Sequence, residues 1–168
     1  MTPIAEPLLA ELDQEAQTTR RLLERVPGDK LAWKPHPKSM SLGELALHVA
    51  TVPGEVAQIF ANDTYELPSF EQPSAKSAAE LVPALDESVR TAKEALGSWS
   101  EQKLMVTWKL VKDGKVLLAA PRVALLRPFM LNHWYHHRGQ LTVYLRLLNI
   151  PLPSIYGPTA DENPFAGA

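Results

Sequence analysis

The stretch NHWYHHRGQLTVYLRLLN, residues 132–149, sets three histidines within five positions and runs on as an apolar, arginine-bearing segment. Positions i and i+4 of a helix project side by side, so His133 and His137 can hold one ion between them. His136 is rotated off their shared direction and reads as a surface residue or a dimer contact. Packing and solvent exposure are the more usual reason for such a pair, because histidines at this spacing also arise by chance. Gln140 stands nearly above His133 and Tyr144 follows one turn later. Both suit a pocket beyond an ion, and Tyr144 reads equally as helix-bundle interior. Arg138 and Arg146 point away from the ligand direction and read as solvated or interface residues.

Outward from this stretch, the helix that carries it is expected from about Pro121 to Asn149. A proline at the first position costs little there, and Pro128 interrupts the helix just before the histidines. The tail IPLPSIYGPTADENPFAGA holds too many prolines and glycines for regular structure. On the other side, VTWKLVKDGKVLLAAP places Asp113-Gly114 between two short alternating runs, which predicts a small β-hairpin or an extended excursion before the last helix.

Three further amphipathic helices precede it. Residues 4–26 carry Leu8, Leu12, Ala16, Leu23 and Val26 at helical spacing and stop at Pro27-Gly28. Ser41 and Glu44 form a capping box that opens a second helix with Leu42, Leu45, Val49 and Val52 buried, and Pro53 is expected to kink it. Ser77 and Glu80 open a third, through Leu81, Leu85, Val89, Ala92 and Leu96, where Pro83 either delays the start or bends the first turns. Residues 62–76 read as a connection.

Four amphipathic segments and no convincing sheet predict an all-α, single-domain chain over residues 1–168, with a four-helix bundle as the simplest way to bury every stripe. Connections of roughly 15–20 residues favour long crossovers over hairpins.

In bundles, ions sit between side chains of facing helices, so a pair on one helix calls for a ligand on another. His48 is the candidate, because His36 falls between two prolines in a loop. Three imidazoles leave coordination positions for water or substrate, the layout of catalytic sites. Glu44, on the His48 face, is first a helix cap and second an outer partner for the ligands. Trp33 sits in the loop just before that helix.

Composition narrows the chemistry. The chain has no cysteine, which excludes disulfides, thiolate metal sites and cysteine nucleophiles. A net charge of −2 and the lack of any lysine or arginine run give no footprint for nucleic acid. No apolar run approaches the roughly 20 residues that span a bilayer, and the N-terminus lacks the pattern of a signal peptide, so a soluble cytoplasmic protein is expected. Glycine-rich phosphate loops, G-x-S-x-G elbows and H-E-x-x-H motifs are absent, and no side chain stands out as a general base.

SLGELALHVA at 41–50, followed by NHWYHHRGQLTVYLR at 132–146, resembles the DinB (YfiT-like) superfamily, whose members share one early histidine and a late H-x-x-x-H-R-G-Q. The similarity covers nearly the whole chain, including PLPSIYGPTADE in the tail. The resemblance implies an up-down-down-up bundle, a homodimer, and a divalent metal held by His48, His133 and His137. Zinc and nickel both suit imidazole. Some relatives are thiol-dependent transferases or isomerases, so the expectation is a metal-dependent enzyme of hydrolase or thiol-transferase type, acting on a small molecule or with a low-molecular-weight thiol. The alternative is a non-catalytic, metal-binding stress-response dimer. A deep cavity opening onto the ions' free face favours the first; a site sealed by Trp33, Trp134 and the tail favours the second.

Overall fold

The computed structural model describes residues 2–69 and 71–166. Helix α1 (Ala5–Leu23) buries Leu12, Leu22 and Leu23, and also Glu15 and Thr19 on the same inward side. Helix α2 (Leu42–Ile59) starts as its sequence dictates. The Ser41 hydroxyl accepts from the Glu44 N–H at 3.1 Å, and the Glu44 carboxylate accepts from the Ser41 N–H at 2.5 Å.

Pro53 lies inside α2, which runs on to Ile59. Lacking an N–H, Pro53 leaves the carbonyl of Val49 without its helical donor. The indole N–H of Trp134, itself fully buried, donates to that carbonyl at 2.7 Å. One residue later in α2, Gly54 permits close approach of the next long helix, α3 (Leu81–Ser98). A Cβ at Gly54 would lie 2.9 Å from the Cα of Ser88. Instead the Gly54 N–H donates to the Ser88 hydroxyl at 2.8 Å, and that hydroxyl donates to the Thr51 carbonyl at 2.9 Å.

Before α3, the Glu80 carboxylate accepts from the backbone N–H of Lys76 and Ser77, closing a single 3₁₀ turn over Ala78–Glu80. Pro83 then falls in the first α-helical turn, where no N–H has an intrahelical partner, so the helix begins later than Ser77. A short helix, α4 (Glu101–Met105), follows, capped by Ser100, whose hydroxyl accepts from the Lys103 N–H at 3.1 Å.

The expected hairpin forms between β2 (Thr107–Lys112) and β3 (Lys115–Pro121). Asp113 and Gly114 take φ of 49° and 74°, the left-handed pair that a two-residue turn between twisted strands requires. A third strand, β1 (Thr64–Glu66), pairs parallel with β2, so the sheet order is β1-β2-β3. The sequence reading placed Thr64–Glu66 in a connection; three residues are too few to show a period of two.

The last helix starts at Arg122 rather than Pro121, which closes β3. It comprises α5 (Arg122–Leu126), a π-helical segment over Arg127–Asn132, and α6 (His133–Leu147). Pro128 therefore widens the helix locally, and the chain continues into the histidine turn. Arg122 is fully buried, donating to the carbonyls of Phe60 at 2.8 Å and Lys103 at 3.1 Å while pairing with Asp63. It joins the end of α2 to α4 and the hairpin.

Helix α2 packs on α3 and α6, and α1 packs on α3. One hydrophobic cluster draws on all of them and includes the buried Trp108 and Trp134. The chain is thus mostly helical, as the sequence reading had it, with a small three-stranded sheet that the all-α reading allowed for only as a possible hairpin; β1 and α4 lie outside that reading. Among the described residues no helix is long and apolar enough to cross a membrane. After α6, Asn149 turns the chain at φ 59° and the tail stays irregular, tied to the helices by Arg21–Glu162 and Arg146–Asp161 ion pairs.

Candidate metal centre

Helices α2 and α6 carry the three histidines, and Trp134 fixes their spacing. The Val49 carbonyl it grips follows His48 by one residue, and Trp134 follows His133 by one. The Nε2 atoms of His48 and His133 lie 3.0 Å apart. His137 completes the group, with ring centroids 4.6 Å from His48 and 4.5 Å from His133. One ring nitrogen from each histidine lies within 4.8 Å of the others.

The electrostatics keep these rings neutral. Burial pulls His48 down to about 4, and the neighbouring His137 and His133 add to the shift. Burial also lowers His133, with His137 and His136 contributing. His137 is lowered by burial, partly offset by its hydrogen bond to Gln140. A neutral imidazole offers a lone pair, which is the form a metal requires. The Gln140 amide oxygen lies 2.8 Å from Nδ1 of His137. An oxygen there accepts a proton, which places the N–H on Nδ1 and leaves the Nε2 lone pair free. The donor set fits a divalent ion at nitrogen distances of about 2.0–2.1 Å.

The other expected site residues fall around this group in different roles. Glu44 serves as the cap of α2 and pairs with Lys34 at 3.4 Å; the Ser41 N–H holds its carboxyl below the ordinary range. Trp33 and Tyr144 meet edge to face at 5.7 Å, and the Tyr144 hydroxyl donates to the Met40 carbonyl at 3.2 Å. Tyr144 thereby holds the backbone of Met40, which lines the cavity beside the histidines. Gln140 orients His137 and is not a cavity residue. His136 is exposed, as expected.

Arg138 corrects the sequence reading. It is 1% exposed and paired with buried Glu15, while its guanidinium donates to the Thr19 hydroxyl at 3.1 Å. The rings of Tyr135 and Tyr156 flank it, each 5.1 Å from the guanidinium carbon. The Tyr156 hydroxyl donates to Glu15 at 2.9 Å. Arg138 thereby binds α6 to α1 and the tail directly behind the histidine turn.

A cavity of about 500 Å3 opens beside the three histidines, all of which line it. Its apolar walls are Met40, Val52, Val56, Ile59 and Phe129, and its polar ones are Glu55 and Gln72. Trp33, Trp134 and the tail do not line it. Glu55 escaped the sequence reading, although it follows His48 by seven positions, two helical turns along the same face.

A mostly helical chain whose facing helices gather three neutral imidazoles beside an open cavity defines a protein able to hold a metal ion at a solvent-accessible centre. The chain belongs to the DinB family, whose model matches residues 1–164. It is 27% identical over 149 residues to the uncharacterized protein YrdA of Bacillus subtilis, covering 88% of this chain and 85% of that one. Its fold resembles a DinB-like protein from Bacillus cereus (TM-score 0.66, 23% identity, 90% and 97% of the two chains). It equally resembles the DinB-like protein YjoA from Bacillus subtilis (TM-score 0.67, 22% identity, 89% and 96%).

Proposed function

We propose that the protein is a metal-dependent enzyme of hydrolase or thiol-dependent transferase type, in which His48, His133 and His137 hold one zinc or nickel ion. The observation that carries this reading is the cavity of about 500 Å3 lined by all three histidines. A protein that only stores or senses metal has no need of such a space, whereas a small-molecule substrate fits volumes of about 300–1,000 Å3. We also propose that these helices form an up-down-down-up four-helix bundle with long crossovers; the packing of α2 on α3 and α6 and of α1 on α3 is compatible with that arrangement.

When bound, a divalent ion supplies Lewis acidity that lowers the pKa of water or of a thiol near it. The chain's own residues do the rest. Gln140 keeps the His137 lone pair aimed at the centre, Trp134 holds α2 against α6, and the apolar walls offer an apolar substrate body a surface on which to shed its water.

We further propose a homodimer. Along α6 the exposed residues His136, Gly139, Val143 and Leu147 share a stripe that Asn132 extends into the π-helical segment, and its two large apolar members are 57% and 58% exposed.

The test of the enzyme reading is access to the ion. In cobalt-substituted protein shown to be fully loaded, excess small thiol or hydroxamate should change the visible absorption, because the bands follow coordination number and ligand type. A spectrum indifferent to both would turn the reading toward a non-catalytic metal-binding dimer.

A further inference from the structure

The cavity has a charge character as well as a shape. Among the described residues no lysine or arginine lines it, and its one ionisable group besides the histidines is Glu55. A second cavity of about 270 Å3 shares His48, Glu55, Ile59 and Gln72 with the first and adjoins it. That adjoining space adds a second carboxylate, Glu71, and among the described residues again no basic side chain. Glu55 thus stands where the two spaces meet, on the same face of α2 as His48.

An anionic group at the end remote from the histidines meets no basic side chain there, only a carboxylate, and unpaired charge against apolar walls is disfavoured. An apolar body sheds water favourably against Met40, Val52, Val56, Ile59 and Phe129. An ammonium at its far end finds Glu55. We infer that the cavity takes an apolar small molecule, neutral or cationic at the end remote from the histidines, and that Glu55 is the specificity-determining residue that excludes anions. Resting on the metal-enzyme reading, this names its substrate class, and it sets small thiols with carboxylate tails outside that class.

The test uses three probes with one body and one thiol: 4-methylbenzenethiol, 4-(aminomethyl)benzenethiol and 4-mercaptobenzoate, titrated into cobalt-loaded protein and followed by absorption. The neutral and ammonium probes should bind at least about tenfold more tightly than the carboxylate. Glu55→Gln should weaken the ammonium probe by about 3- to 10-fold and leave the neutral probe unchanged. Glu55 is exposed, so the variant keeps the core intact. Equal or tighter binding of the carboxylate, or equal effects of Glu55→Gln on all three probes, would overturn the assignment. A parallel calorimetric comparison of 4-methylbenzylammonium with 4-methylbenzoate in metal-free protein separates the two levels of the account. Ammonium preference there with a silent cobalt spectrum supports the cavity assignment and refutes the open coordination position; no preference in either form overturns the assignment.

Discussion

The indole N–H of Trp134 donates at 2.7 Å to the carbonyl of Val49, the one carbonyl in α2 that Pro53 leaves without a helical donor. Two residues that look like a packing aromatic and a helix breaker thus make one joint, and it lies one residue from His48 and one from His133. A buried carbonyl left unsatisfied costs about 1–3 kcal/mol. Trp134→Phe should lose roughly that much stability by denaturant unfolding, with a smaller loss in a Pro53→Ala background, where a helical N–H returns to Val49. Equal losses in both backgrounds would dissolve the coupling.

Gln140 acts on metal affinity through His137. Gln140→Leu removes the acceptor that holds the Nδ1 proton and should weaken metal binding by about 10- to 100-fold without changing the fold. Competition with a chromophoric chelator measures it. Unaltered affinity would mean that the amide is incidental.

Burial of the triad makes stability pH-dependent with a definite sign. In the unfolded chain imidazole titrates near 6.5, whereas folded His48 titrates at about 4 and His133 and His137 are also lowered. Between these values the unfolded state binds more protons, so acid favours unfolding. In metal-free protein the contribution of these histidines to stability should be fully present above about 6.5 and be lost progressively as pH falls through about 4. Thermal unfolding from pH 8 to 4 checks this, and His48→Asn should flatten the slope. Stability that rises as pH falls from 6.5 would reverse the argument.

The histidine triad was legible because helix geometry converts sequence spacing into direction: His133 and His137 share a face, and the capping box places His48 firmly on α2. Glu55 was equally within reach, two turns beyond His48, but a carboxylate on an exposed helix face carries no mark until the cavity beside it is known. Arg138 was misread for the opposite reason. Its partners Glu15 and Tyr156 lie 123 residues before it and 18 after it, and a charged side chain in a helix otherwise reads as solvated. Strand β1 exists only through its pairing with β2, and the π-helical segment only through the way Pro128 is accommodated. Neither leaves a local pattern.

The exposed stripe on α6 leads to a prediction on assembly. Light scattering at micromolar concentration should give about twice the 18.6 kDa chain mass, and Val143→Glu with Leu147→Glu should reduce it to the monomer. A monomer at all concentrations would remove the dimer.

The central claim is that three histidines, and not the fourth beside them, hold one ion. Elemental analysis of protein purified without added metal tests it most directly. The expected content is about one zinc or nickel ion per chain, the same in His136→Ala, and none in His137→Ala. Metal-free wild-type protein that takes up no ion on titration, or loss of metal in His136→Ala with retention in His137→Ala, would contradict it.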